Sequence, residues 1–231
     1  MSRNRRWGLS ETRRPQQLVR KIRVLIVCEG KKTEPNYFRK LRDEVRSIEV
    51  ANDKFVITVK EGEGWDRLDI AKAAVRHKGE QVYDEWHCVM DVEHKEHWVS
   101  LMRALALLRR HRFNVHLSNP SFEVWFLAHF RKTPTQFADG EDVIKELERH
   151  WTGPYRKGED SHYDTLRPRL NVAIANARHV RERHHMPHDG SPLPATEHCN
   201  SSTDVYTFVE ELLCLKKGDA PKREIKKRHN K

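Results

Sequence analysis

Val24-Leu25-Ile26-Val27-Cys28-Glu29-Gly30-Lys31-Lys32-Thr33-Glu34 is the stretch from which the rest of the chain can be read. Its apolar run, mostly β-branched and aliphatic, predicts a strand over 22–28 that is buried on both faces, as in parallel sheets. The run stops at a carboxylate and a glycine, and a polar turn then leads into a helix. Thr33 can cap that helix near Glu34, with Pro35 in the first turn, where its missing N–H is harmless. Tyr37, Phe38, Leu41 and Val45 follow at helical spacing. Ligands of open α/β sheets bind outside the carboxyl ends of the strands, so Glu29 is the first candidate for chemistry.

The same rhythm continues downstream. Residues 54–60 predict a second strand, and a helix starts near Asp66 after the loop Glu61-Gly62-Glu63-Gly64. Residues 86–91 form a third strand, again ending in a carboxylate, Asp91. A strongly patterned helix spans 97–110, a short strand 113–118, and Asn119-Pro120 breaks the chain before an apolar helix from Ser121 to Phe130. Strand and helix in alternation argue for an α/β fold with a parallel sheet and right-handed crossovers. After residue 131 the pattern becomes mostly helical, with helices near 140–150, 168–185 and 202–215 and polar loops at 151–165 and 184–202. The expected organisation is a basic arm over 1–21, an α/β domain over 22–131, a helical C-terminal part over 132–215 and a basic tail over 216–231.

The chain of 231 residues has a formal charge of +10 and a pI near 9.5, which favours a polyanionic partner, nucleic acid first. The charge sits at the ends. Residues 1–23 and 216–231 together carry +13, which leaves the middle slightly acidic. Arg3, Arg5, Arg6, Lys226, Lys227 and Arg228 are candidate nucleic-acid contacts in these ends, and Lys31 and Lys32 beside Glu29. A basic protein with an acidic centre suits a metal-dependent enzyme acting on nucleic acid. The four cysteines, Cys28, Cys88, Cys199 and Cys214, form no CxxC pair, which suits reduced thiols and a cytoplasmic protein. No signal-peptide core or membrane span is expected, since no apolar run approaches the roughly 18 residues a span needs.

Glu29 with Glu34, Asp91 with Glu93, and Glu123 lie after apolar segments or at helix starts on one side of the expected sheet. Like charges gathered together raise each other's pKa, so such a cluster calls for a divalent cation. Oxygen-only ligands select Mg²⁺ or Mn²⁺, which could activate water and stabilise the leaving oxygen of a phosphodiester. Glu34 is also favourable with the helix dipole without any metal, and Glu93 and Glu123 could pair with Lys95 or Arg131.

Glu29-Gly30 followed by an acidic-x-acidic pair resembles the Toprim signature of primases, topoisomerases and several nucleases. More closely, Cys28–Phe38, Met90-Asp91-Val92-Glu93-His94, Ser118–Trp125, Tyr155-Arg156-Lys157 and Asn200–Val205 resemble motifs of the RloB-like family, over about residues 22–213. That resemblance implies a Toprim-like fold and a bacterial, antiviral defence setting linked to restriction–modification loci, often beside an ATPase. It also implies a metal-dependent nuclease, with Glu29 as general base or acid and Asp91 as metal ligand. The second position of the acidic pair is usually Asp, and here it is Glu93, one methylene longer. A further likeness to the overcoming-lysogenization-defect nucleases matches Glu34, Ser121 with Glu123, and Lys157, the last to neutralise developing phosphate charge. The expected function is a Mg²⁺- or Mn²⁺-dependent nuclease cutting RNA, tRNA included, or DNA. The other reading is a catalytically impaired Toprim scaffold that binds nucleic acid or a partner ATPase.

His184, His185, His188, His198 and Cys199 share one loop, but their spacing fits no standard zinc pattern. Gly62 and Gly64 precede a helix and could hold a phosphate or simply make a turn. There is no Walker A sequence and no Ser or Cys nucleophile motif. Trp65, Trp86, Trp98, Trp125 and Trp151 sit mostly in apolar segments and read as core, while Trp7 and Trp151 could stack on unpaired bases.

Overall fold

The computed structural model describes residues 21–47, 55–63, 66–93, 95–132, 135–184 and 200–216. Its sheet holds β1 (Ile22–Cys28), β2 (Phe55–Lys60), β3 (Glu85–Asp91), β4 (Asn114–Asn119) and β5 (Ser202–Thr203) in the order β2-β1-β3-β4-β5. The first four strands are parallel, and β5 pairs antiparallel with β4 through Ser118 and Asn119. The two-residue β5, absent from the sequence reading, makes the sheet mixed at that edge.

Alternation along β1 sets the layers. Val24, Ile26 and Cys28 face one core, and Leu25 and Val27 face another; all five are at most 1% exposed. The Leu25 side is covered by α2 (Arg67–Glu80) and α3 (Trp98–Arg110), through Ala71, Ala74, Leu101, Ala104, Leu105 and Leu108. The Val24 side is covered by α1 (Thr33–Arg46) and α4 (Glu123–Ala128). It also takes α5 (Gly140–Glu148), α6 (His162–Leu166), α7 (Leu170–Arg183) and α8 (Val205–Lys216). The C-terminal helices thus share one apolar cluster with the parallel strands. Tyr37 lies at its centre, with ring centroids 5.1–6.3 Å from Phe38, Phe122, Trp125, Phe126 and Tyr163.

The differences from the sequence reading are local. Helix α1 begins one residue early, at Thr33, so Lys32 is the cap residue and makes no side-chain cap bond. Helix α2 starts after Asp66, whose side chain caps it by accepting from the Asp69 amide at 2.9 Å. The apolar helix after Asn119-Pro120 is shorter than expected at both ends, starting at Glu123 and giving way to a turn at residues 129 and 130. Helix α6 lies almost wholly within the segment 151–165 read as a polar loop, and His162, Tyr163 and Leu166 are its buried residues. Among the described residues no helix is long and apolar enough to cross a membrane. Cys28, Cys88 and Cys214 are free thiols.

Candidate active site

The order β2-β1-β3 reverses direction between β1 and β3, and at such a switch point the carboxyl ends open a crevice. Glu29 and Asp91 stand there. The Glu29 amide continues the ladder onto the Val89 carbonyl at 2.9 Å, and the Asp91 amide donates to Glu29 Oε2 at 2.8 Å. On the far side of β3, the Glu93 amide donates to the Pro120 carbonyl at 2.9 Å, which brings the turn into α4 alongside. Glu123, in the first turn of α4, is 1% exposed.

Close approach of backbone explains two glycines. A Cβ on Gly30 would fall 2.1 Å from Glu34 Oε2, so the Glu34 carboxylate lies directly against the turn after β1. A Cβ on Gly62 would fall 1.8 Å from the Glu29 carbonyl oxygen. Gly62 therefore packs under Glu29; Gly64 lies outside the described residues.

Sequence reading missed Arg67, the first residue of α2, which is 4% exposed. Its Nε donates to the Asp91 carbonyl at 3.0 Å, and its Nη2 stands 2.7 Å from Glu93 Oε2 and 3.6 Å from Glu29 Oε1. The Glu93 contact is a close ion pair set off the N–H axis, so Nη2 has no aligned acceptor. A signal for this residue was present. A cation in the first turn opposes the helix dipole, so a buried arginine there needs carboxylates in front of it. The extra methylene of Glu93 relative to Asp supplies the reach back to the guanidinium, and its backbone is left-handed, with φ 48°.

The opposite wall comes from the C-terminal part. Tyr155 donates its hydroxyl to Glu123 Oε1 at 3.2 Å, and Lys157 Nζ stands 3.6 Å from the same oxygen. Asn36 Nδ2 donates to the Gly158 carbonyl at 3.1 Å, tying this loop to α1. Gly158, at φ 81°, lies against Lys32, where a Cβ would come 2.8 Å from the Lys32 Cβ. Lys31 and Lys32 are exposed on the rim.

The structure thus brings Glu29, Glu34, Asp91, Glu93, Glu123 and Lys157 to one edge. Arg3, Arg5, Arg6, Lys226, Lys227 and Arg228 lie outside the described residues, as do His185, His188, His198 and Cys199 of the His-rich loop.

Electrostatics follow from burial. Desolvation pushes Asp91 well above the usual carboxylate range, helped by Glu34, Glu29 and Glu123. Burial also pushes Glu34 up to about 7, with Glu123 and Glu29 adding to it. Glu29 is raised by burial against the pull of Arg67 and the Asp91 amide. Asp91 Oδ1, Glu123 Oε2 and Ser121 Oγ are buried with no hydrogen-bond partner. Orphaned carboxylate oxygens are costly in a folded interior and are the donor chemistry a hard divalent cation takes. Among the described residues no three Asp, Glu, His or Cys side chains stand close enough to make a ready ion cage. The fit of the residues to a cation rests on their oxygen donors and on these unpaired atoms.

Fold and site together define an α/β protein whose mostly parallel sheet gathers carboxylates around one buried guanidinium at its carboxyl edge. The profile of the RloB-like protein family matches residues 24–212, and the chain belongs to that family. No curated protein and no solved structure matches it significantly.

Proposed function

We propose that this protein is a divalent-cation-dependent nuclease of Toprim type, serving antiviral defence linked to restriction–modification, as membership of the RloB-like family suggests. The observation that carries this reading is the pairing of Glu29 with Asp91 at adjacent strand ends, with unpaired buried oxygens on Asp91 and Glu123. Asp91, Glu123 and Glu34 would hold Mg²⁺ or Mn²⁺, which supplies Lewis-acid stabilisation of a phosphoryl oxygen and a more acidic water. Glu29, raised from the ordinary carboxylate range, is suited to exchange a proton with the attacking or leaving oxygen. Lys157 offers a positive charge where negative charge develops on the phosphate. Lys31 and Lys32 line the approach for a polyanionic strand, RNA or DNA.

The test is cleavage of mixed RNA and DNA with Mg²⁺ or Mn²⁺, with a genomic partner ATPase added where one exists, alongside a binding titration in Ca²⁺. Glu29→Gln should lower cleavage by roughly 10²–10⁴ while leaving binding intact. Wild-type cleavage by that variant sinks the mechanism. A wild type that binds nucleic acid but cuts none under any of these conditions is a scaffold. Sequencing the RNA and DNA cut in cells on induction then names the substrate.

A further inference from the structure

We propose that Arg67 is a built-in cation standing in the place of a second metal ion, so that the acidic centre takes a single divalent ion, on the Asp91–Glu123 side. The inference rests on the cation-dependent reading above and deepens it. Its basis is the unequal treatment of the five carboxylates. Glu29 is engaged at both oxygens, Oε2 by the Asp91 amide at 2.8 Å and Oε1 facing Arg67 Nη2 at 3.6 Å. Glu93 is turned onto the same Nη2 at 2.7 Å, held by its own amide on the Pro120 carbonyl. The guanidinium is itself anchored by Nε on the Asp91 carbonyl at 3.0 Å, and its side chain is 5% exposed.

Asp91 Oδ1 and Glu123 Oε2 are the carboxylate oxygens of the centre that are buried without any partner. Asp91 is 8% exposed and Glu123 1%, so bulk water does not satisfy them. Glu123 Oε1 already takes Tyr155 and faces Lys157, which leaves Oε2 for a ligand.

Charge supports the same division. Even with all five carboxylates ionised, Arg67 and Lys157 leave a formal charge of about −3, which one dication reduces to about −1 and two would overturn to about +1. A second dication near Glu29 and Glu93 would also sit against a fixed guanidinium, and like charges repel strongly in a pocket poorly screened by water. An arginine cannot be deprotonated to relieve this.

The experiment counts Mn²⁺ bound to the full chain, from the loss of the free-ion electron paramagnetic resonance signal. Only sites abolished by Asp91→Asn are counted. The expected count is one per chain for the wild type and two for Arg67→Gln, which keeps a donor at the Nε position for the Asp91 carbonyl but removes the charge. Arg67→Lys should stay at one. A wild-type count of two overturns the inference while leaving the cation-dependent reading intact. A count of zero overturns both. A folded Arg67→Gln that stays at one also overturns it. If Arg67→Gln does not fold, the wild-type count decides alone, supported or overturned by the presence of spin coupling between paired ions: none is expected, and its detection refutes the single-ion centre.

Discussion

Gly62 packs so tightly on Glu29 that a methyl group at Gly62 would stand 1.8 Å from the Glu29 carbonyl oxygen. The Gly62 amide also donates to the Gly30 carbonyl at 3.2 Å, so the segment after β2 props the turn that carries Glu29. Gly62→Ala must push one backbone away from the other. We expect a loss of stability of about 1–3 kcal/mol, the usual size for overpacking. Cleavage should fall further than stability alone explains, because a displacement of about 1 Å at a reacting group is costly. Urea denaturation and cleavage of the same variant check this, and wild-type values in both would refute it.

Glu34 sets a pH dependence whose sign can be worked out. Its pKa rises from an ordinary 4.5 to about 7 in the fold, chiefly through burial. Between those values the folded protein keeps a proton that the unfolded chain has lost. Without added cation, stability from this group therefore falls as pH rises from about 4.5 to about 7 and stays lost above it. Buried His129, held down to about 4 by desolvation, works in the opposite direction over part of that window. The measurement is therefore a difference. At pH 8 in EDTA, Glu34→Gln should be more stable than wild type by about 3 kcal/mol, and near pH 4 the two should converge. Added Mg²⁺ should shrink the gap at pH 8. A gap that is largest at low pH would reverse the assignment.

Arg181 and Asp204 form an ion pair with side chains only 2% and 4% exposed, where α7 meets the start of α8. The Asp204 amide also donates to the Leu117 carbonyl at 2.8 Å, which locks this junction to β4. Asp204→Ala should cost roughly 3–5 kcal/mol, because it takes the carboxylate away from a buried guanidinium. Replacing both partners, Arg181→Met with Asp204→Leu, should recover much of that loss, since a well-packed apolar pair avoids desolvation. Chemical denaturation of the single and double variants tests the coupling; additive losses would argue against it.

The two ends of the chain carry +13 between them, and their role is expected to be affinity. Each phosphate neutralised steepens the salt dependence of binding. Deleting 1–20 and 217–231 should flatten the plot of log affinity against log salt and leave turnover at saturating nucleic acid unchanged. Unaltered salt sensitivity after both deletions would refute this.

Glu29, Asp91 and Glu123 could be picked out in the sequence because each interrupts or directly follows an apolar run, and a buried strand in a parallel sheet has few other places to put a carboxylate. The helices α2 and α3 were legible by period. Arg67 was hidden for a different reason. One arginine among many carries no periodic signal, and its meaning lies in contacts with residues 24 and more positions away. Tyr155 was quoted only as part of a motif; its bond to Glu123 spans 32 residues and comes from a loop whose local composition is polar. Helix α6 and strand β5 were missed because five and two residues are too few to establish a period. The extra methylene of Glu93 was visible at once, and its use in reaching Arg67 needed the fold.

The loop holding Tyr155, Lys157 and Gly158 closes on Asn36 across 122 positions of chain, and Ser202 and Thr203 complete the sheet later still. This ordering has a consequence in time. A ribosome making this protein exposes Glu29, Asp91 and Glu123 long before it has made the residues that surround them. An incomplete chain carries the acids without Lys157, without the Tyr155 hydrogen bond and without the helices that bury them. Such a fragment lacks the environment that raises Glu29 and Asp91, so on the proposed nuclease reading cutting is expected only from a nearly finished chain.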